Sequence, residues 1–234
     1  MKWRGISETD AEQSASTLRE ELAERKRLME LYVPADTRAV NERATEALRN
    51  SGAAERALKV GEQAPSFTLL DQGGKAISSA ALLAKGPLAI AFLRGRWCPF
   101  CCGEVEALNR MLPEFESAGA SLVAISPQSV NQAYFMHDQH KLRFPLLVDE
   151  GNKVARQFEI VYRVPDYQEK LFSSVFINLP HINGDKSWEL PLPATYVIGR
   201  NGKVQYAWIN VDYTERAEPG EVLRFIQNGV AGSE

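Results

Sequence analysis

The chain has 234 residues, 44% of them hydrophobic and 24% charged, with a formal net charge of −3. That is enough chain to bury a substantial core, and the charge balance gives no basic excess that would mark a nucleic-acid partner. No apolar run approaches the roughly 18–20 residues of a membrane span. The polar start, Met1-Lys2-Trp3-Arg4-Gly5 and then Ser7-Glu8-Thr9-Asp10, lacks the apolar centre of a secretory signal. The expected setting is therefore a reducing compartment, the cytoplasm.

Residues 1–58 are rich in charge and carry helical spacing. A first helix is expected over 15–32, with Leu18, Leu22 and Met29 on one side and Glu21/Arg25 paired on the other. Pro34 should end it and Asp36 cap a second helix, which Ala39, Val40, Ala44, Ala47 and Leu48 carry to Asn50-Ser51-Gly52. This extension is read as a helical hairpin whose narrow apolar stripe needs cover, from its own chain or from a second copy in a homodimer.

A separate domain is expected over 59–230. Strands are expected at 66–70, 88–93, 121–126, 144–148, 194–198 and 204–209, with hairpin turns at Gln72-Gly73-Gly74-Lys75 and Arg200-Asn201-Gly202-Lys203. Helices are expected after residue 98, over 130–140 and 154–158, and from Pro219 onward. Pro113 should break the first of these. Residues 162–193, rich in Pro, Asn, Asp and Gly, read as an irregular loop that could cover the site. The order β-α-β-α-β, loop, β-β-α implies an α/β domain, a mixed central sheet with helices on both faces.

All three cysteines lie in Trp97-Cys98-Pro99-Phe100-Cys101-Cys102, directly after the apolar run 88–93. The Cys-x-x-Cys spacing sets two sulfurs one helical turn apart, so the pair can cycle between dithiol and disulfide. Cys98 falls at the helix N-terminus, where free amides and the macrodipole favour a thiolate. Arg94 and Arg96 add positive charge, partly offset by Glu104 and Glu106, and Pro99 suits the first turn. Apolar residues at 101, 105, 108, 112 and 115 form one face, so Cys101 is expected to be the more buried sulfur and Cys98 the exposed one. Cys102 points to the polar side as a bystander or accessory thiol. A Cys2His2 metal site from Cys98, Cys101, His137 and His140 is the competing reading of the cluster. The histidine pair lacks the turn pattern of such sites, so no metal and no cofactor are expected. Asp212-Tyr213-Thr214 reads as a capped turn at a strand end, and Trp188, Tyr196, Tyr206 and Trp208 read as packing residues.

Four blocks in order carry a family resemblance: Val60-Gly61 with Ala64-Pro65, Phe67 and Leu69; Phe92 to Cys101; Phe144-Pro145-Leu146-Leu147 with Asp149; and Pro193-Ala194-Thr195-Tyr196-Val197-Ile198 with Asn201-Gly202-Lys203. Over about 60–228 the chain resembles the alkyl hydroperoxide reductase/thiol-specific antioxidant group, in a peroxiredoxin-like branch with a thioredoxin-type Trp-Cys-x-x-Cys. The resemblance implies a thioredoxin-like fold. It also implies a thiol oxidoreductase that reduces hydrogen peroxide or organic hydroperoxides, with electrons from a thioredoxin- or glutathione-type donor. Its alternatives are protein-disulfide exchange or a redox-sensing interaction protein. The family pattern aligns Cys101 with the peroxide-attacking cysteine, Cys98 with a threonine, Arg94 with a proline and Pro193 with an arginine. The thioredoxin-like pattern instead makes Pro193, just before the Thr195 strand, a cis proline facing the disulfide. Trp97 and Phe100 complete the expected site. Which sulfur attacks first stays open.

Overall fold

The computed structural model describes residues 17–231. Helix α1 (Leu18–Tyr32) opens on a capping box: the Glu20 amide donates to the Thr17 hydroxyl and the Thr17 amide to the Glu20 carboxylate. The expected first turn, from residue 15, begins outside the described residues. Pro34 rather than Asp36 is the N-cap of α2 (Ala35–Asn50), and Asp36 lies in the first turn, where a carboxylate still complements the helix dipole. Leu18, Leu22 and Leu28 are buried on α1, but Ala44 alone on α2, so the second apolar stripe is narrower than its spacing implied. The short helix α3 (Ala53–Arg56) follows.

The sheet strands are β1 (Thr68–Asp71), β2 (Ala76–Ser78), β3 (Leu88–Phe92), β4 (Ser121–Ser126) and β5 (Leu146–Val148), followed by the separate pair β6 (Val161–Arg163) and β7 (Glu189–Pro191), then β8 (Ala194–Ile198) and β9 (Val204–Ile209). Seven of them form one mixed sheet in the order β2-β1-β5-β4-β3-β8-β9. Central β3 runs parallel to β4, with Ile90 opposite Val123, and antiparallel to β8, with Ile90 opposite Tyr196. Every residue of β3 is buried because both sheet faces are covered. Ala89, Ala91 and Leu93 join the core that holds Cys101 and Val105, while Leu88, Ile90 and Phe92 join the opposite one with Phe158 and Tyr196.

Helices α4 (Ser79–Leu83), α5 (Pro99–Arg110), α6 (Leu112–Ser117), α7 (Val130–Gln139), α8 (Lys153–Gln157), α9 (Asp166–Ser174), α10 (Leu179–Asn183) and α11 (Pro219–Ala231) complete the chain. The break between α5 and α6 falls where Pro113, in the first turn of α6, requires it. Residues 162–193 are not irregular. They hold α9 and α10 between β6 and β7, which pair antiparallel with each other (Tyr162 opposite Leu190) outside the main sheet. Three-residue strands separated by a long insert have too little period to be legible in sequence.

Helix α1 lies against α5 of its own chain. Leu18 and Leu22 share a core with Val105 and Leu108, and Glu21 pairs with Arg110 at 2.5 Å. Gly103 permits this approach: a Cβ there would stand 3.1 Å from Leu22 Cδ2 and 3.2 Å from Arg25 Nε.

Candidate active site

The segment joining β3 to α5 builds the site. Cys98 is the N-cap of α5, with an extended backbone and Pro99 at the first helical position. Its amide donates to the Gly95 carbonyl at 3.1 Å, and its carbonyl accepts from the Cys101 and Cys102 amides at 3.1 and 3.2 Å. Gly95, at φ 131°, is where the chain turns. A Cβ there would meet the Trp97 ring at 3.0 Å and Gln128 Oε1 at 3.3 Å.

Cys98 was expected to be exposed and is not: it is 1% accessible and Cys101 is 0%. Phe172 packs on Trp97 and Tyr213 on Phe100, the residues on either side of the helix start, and both come from far along the chain. The two cysteines differ instead in what they face. Cys98 lines a cavity of about 270 Å³, with Arg94, Trp97, Pro99, Phe100 and Tyr213 beside it, whereas Cys101 is not among the lining residues. The walls of that cavity come from the α1–α2 turn and from 171–177, and they are mostly apolar.

Each sulfur has its own arginine. Arg94 is buried, its Nη1 4.0 Å from Cys98 Sγ and its guanidinium 4.7 Å from the Trp97 ring centre and 4.6 Å from that of Tyr213. Arg216, which precedes α11, donates from Nη2 to Cys101 Sγ at 3.2 Å and from Nε to Glu104 Oε2 at 2.5 Å. Its Nη1 donates to the carbonyls of Tyr213 and Glu215, both at 2.6 Å. Arg96 was expected to add charge at the sulfur. It is exposed and donates instead to Gln132 on α7 at 3.0 Å, because Gly95 turns successive side chains apart.

The charges divide the pair. Burial opposes ionisation of Cys98, but a hydrogen bond from Cys101 and the charges of Arg94 and Arg216 outweigh it, holding the Cys98 thiol well below its ordinary range. Burial and the neighbouring Cys98 push Cys101 well up, so Cys98 is the more readily ionised of the two thiols. Burial also pushes Glu104 up to about 7 against the pull of Arg216.

Cys102 is half-buried, its thiol 3.4 Å from the Arg96 carbonyl, and burial pushes it up to about 12. That disposition removes the reactivity expected of a thiol at a helix start. His140 meets Glu106 through Nδ1 at 2.9 Å, and its side chain is nearly buried. Pro193 and Thr195 do not line the cavity. Thr195 is buried in β8 opposite Ala91, and no peptide bond is cis among the described residues. The thioredoxin-style cis proline is therefore absent at Pro193, which accepts a hydrogen bond from the Asn210 amide at 3.1 Å as part of the β8–β9 edge.

Sequence reading missed Arg216, Gln128 and Phe172, and it had Glu104 offsetting Arg94 and Arg96, whereas its carboxylate pairs with Arg216. Gln128 is buried and accepts from the Arg96 amide at 2.9 Å, fixing the loop from β4. Phe172 packs on Trp97 with ring centres 5.2 Å apart. Asp212 does cap its turn, accepting from the amide and hydroxyl of Thr214 at 2.9 and 2.7 Å. That same turn delivers Tyr213 to Arg94 and Phe100, so the strand-end position was a usable signal.

With this geometry in place, the comparisons with known proteins are specific. The AhpC/TSA family model matches residues 60–207. Chloroplastic peroxiredoxin Q of Oryza sativa subsp. japonica is 30% identical over 168 residues, 72% of this chain and 66% of that protein. The chloroplastic peroxiredoxin Q of Triticum aestivum gives the same figures. The chain thus spans 66% of the length of these relatives. The solved structure of peroxidoxin BcpB from Mycobacterium tuberculosis shares the fold, with a TM-score of 0.58 at 22% identity, over 73% of this chain and 97% of that one. The expected cytoplasmic location is overturned by these relatives, which are named as chloroplastic proteins.

Proposed function

This chain belongs to the AhpC/TSA family, and from that premise we propose that it is a thiol-dependent peroxidase cycling Cys98 and Cys101. The observation that carries the assignment of roles is that Cys98 faces the cavity beside Arg94 while Cys101 lies behind it, on Arg216. The Cys98 thiolate attacks the terminal oxygen of a hydroperoxide. A sulfur–oxygen bond forms, the O–O bond breaks, and the alkoxide or hydroxide released takes a proton from solvent. Arg94 Nε and Trp97 Nε1 are buried donors with no hydrogen-bond partner among the described residues, on side chains that line the cavity with Cys98, and the Arg94 guanidinium, its Nη1 4.0 Å from Cys98 Sγ, can meet the developing negative oxygen.

The product is a sulfenic acid on Cys98. The Cys101 sulfur then attacks it, forming the disulfide, while the hydroxyl of the sulfenic acid leaves with the thiol proton as water. The Arg216 contact supports negative charge on Cys101 as its proton departs. A thioredoxin- or glutathione-type thiol donor supplies two electrons, is itself oxidised to a disulfide, and restores both thiols. Protein-disulfide exchange is the less favoured reading, because the relatives described above are peroxiredoxins.

The test mixes reduced protein with substoichiometric hydroperoxide and, separately, with an insulin-type disulfide. Peroxide should oxidise the pair orders of magnitude faster than it oxidises a free thiolate, and insulin reduction should be slow. Oxidation by hydrogen peroxide and by organic hydroperoxides no faster than that of a free thiolate would end the peroxidase reading.

A further inference from the structure

We infer that helix α1 is a positioning element for the resolving sulfur: by taking the Glu218 carboxylate on its first amides, it holds the 212–218 turn so that Arg216 stays on Cys101. The inference rests on the peroxidase reading above and concerns its second step. Helix α1 and this turn both lie outside the 60–207 segment that carries the family match.

The N-terminus of α1 is where the hold is made. A helix leaves its first four N–H groups without partners of its own. In α1 the capping box satisfies those of Thr17 and Glu20. The other two, of Leu18 and Arg19, donate to Oε1 and Oε2 of Glu218 at 3.3 and 3.1 Å, from 200 and 199 positions away. A carboxylate suits that end, where the helix dipole favours negative charge. Glu218 is two residues from Arg216, and Ala217 between them is buried in the same core as Leu18 and Leu22.

Further contacts run along α1 to the start of the turn. Lys26 Nζ lies 3.7 Å from Asp212 Oδ2, and the Tyr213 hydroxyl donates to Met29 Sδ at 3.7 Å. Through Arg216 the turn reaches α5, where one guanidinium spans Glu104 and Cys101 at 2.5 and 3.2 Å. The turn is thus held between two helices, which approach closely over Gly103.

The contact at Cys101 matters when the disulfide forms. Cys101 then gives up its thiol proton, the S–S bond forms, and the S–O bond of the Cys98 sulfenic acid breaks with loss of water. Negative charge develops on the Cys101 sulfur, and a guanidinium at 3.2 Å stabilises it while the two stay aligned. Attack of Cys98 on the hydroperoxide relies chiefly on Arg94, at the end of β3. Loosening the turn at Glu218 should therefore slow the second step and spare the first.

The experiment is a single turnover of the full chain with substoichiometric hydroperoxide. It follows the Cys98 sulfenic acid by dione trapping and the Cys98–Cys101 disulfide by mass spectrometry of quenched samples. In Glu218→Ala the sulfenic acid should appear within about twofold of the wild-type rate, while the disulfide forms about tenfold more slowly, the scale of a slightly misplaced group. Glu218→Gln, which keeps an oxygen for the amides, should recover most of that rate. Arg216→Lys keeps a cation beside Glu104 but lacks the fork that also spans Cys101, so it should slow the disulfide step by itself. Adding Glu218→Ala to it should slow that step no further, because both changes act through one contact. A wild-type disulfide rate in folded Glu218→Ala overturns the inference. So does a slowing that multiplies in full with that of Arg216→Lys. Glu218→Asp, too short to reach both amides, repeats the test if the alanine variant does not fold, with slower disulfide formation expected again. A slow first oxidation in the wild type itself removes the peroxidase reading and this inference with it.

Discussion

Cys98 and Cys101 are equally buried and a single helical turn apart, yet the surroundings of the two sulfurs are opposite in kind. Cys98 faces a cavity, and its arginine, Arg94, is in ion-pair contact with no carboxylate among the described residues; two aromatic rings flank it instead. Cys101 faces packed protein, and its arginine, Arg216, is already matched by Glu104 at 2.5 Å. An unmatched guanidinium pulls negative charge toward its sulfur, whereas a matched one holds a sulfur in place with less net pull. Burial alone therefore does not rank these thiols. What ranks them is access together with the charge left over on the neighbouring arginine.

This contrast can be broken in several ways. The largest effect is expected from Cys98→Ser, which should lower peroxidase turnover by several orders of magnitude, as loss of a nucleophile does. Steady-state peroxide consumption with a thiol donor measures it. Arg216→Met should be the costliest change to the fold. Leaving Glu104 buried without its partner is expected to remove about 1–3 kcal/mol for the lost hydrogen bonds, because the carboxyl, already pushed up to about 7 beside Arg216, takes up a proton once that charge is gone; the loss is read as a lower urea midpoint with unchanged slope. Glu104→Gln in the same background should restore part of it, since an amide has no proton to take up on folding.

Arg94→Met acts on the other sulfur. Loss of its charge-assisted contact, worth about 1.5–3 kcal/mol, should slow Cys98 oxidation by about 10–100-fold. The pH dependence gives the sign. The Cys98 thiol is held well below its ordinary range, so its ionisation is expected to be complete at a lower pH than that of a free thiol. Its alkylation rate should be flat through about pH 7–9 in the wild type, and should climb with pH in Arg94→Met as the thiol returns toward ~8.5. A climbing wild-type profile would mean that Arg94 does not set the charge. The smallest effect is expected at Cys102. With its thiol pushed up to about 12, it should resist alkylation at neutral pH, and Cys102→Ala should change oxidation rates less than twofold.

The elements that frame the site were legible because their signals are local. The apolar run of β3, the 4-3-4-3 apolar spacing through α5 and α6, the Pro113 break and the Asn201-Gly202 turn each fix an element from its own residues. The cysteine pair was legible for the same reason. Arg216 was not, because it reaches Cys101 from 115 positions away with no pattern around it. Nor was the burial of Cys98, since its neighbours Trp97 and Phe100 pack against Phe172 and Tyr213, far along the chain. The Pro193 reading failed in an instructive way. A proline before a strand fits both a cis turn facing a disulfide and an ordinary strand approach, and the hydrogen bond to Asn210 belongs to the second.

The central claim, that the cavity-facing sulfur attacks and the sulfur behind it resolves, is tested most directly by trapping the first oxidation product. Reduced Cys101→Ser and Cys98→Ser are each given substoichiometric hydroperoxide in the presence of a sulfenic-acid-specific dione, and the adduct is located by peptide mass spectrometry. The account predicts a fast-forming adduct on Cys98 in Cys101→Ser and no fast adduct in Cys98→Ser. A fast adduct on Cys101 in Cys98→Ser would contradict it and give the attacking role to the sulfur on Arg216.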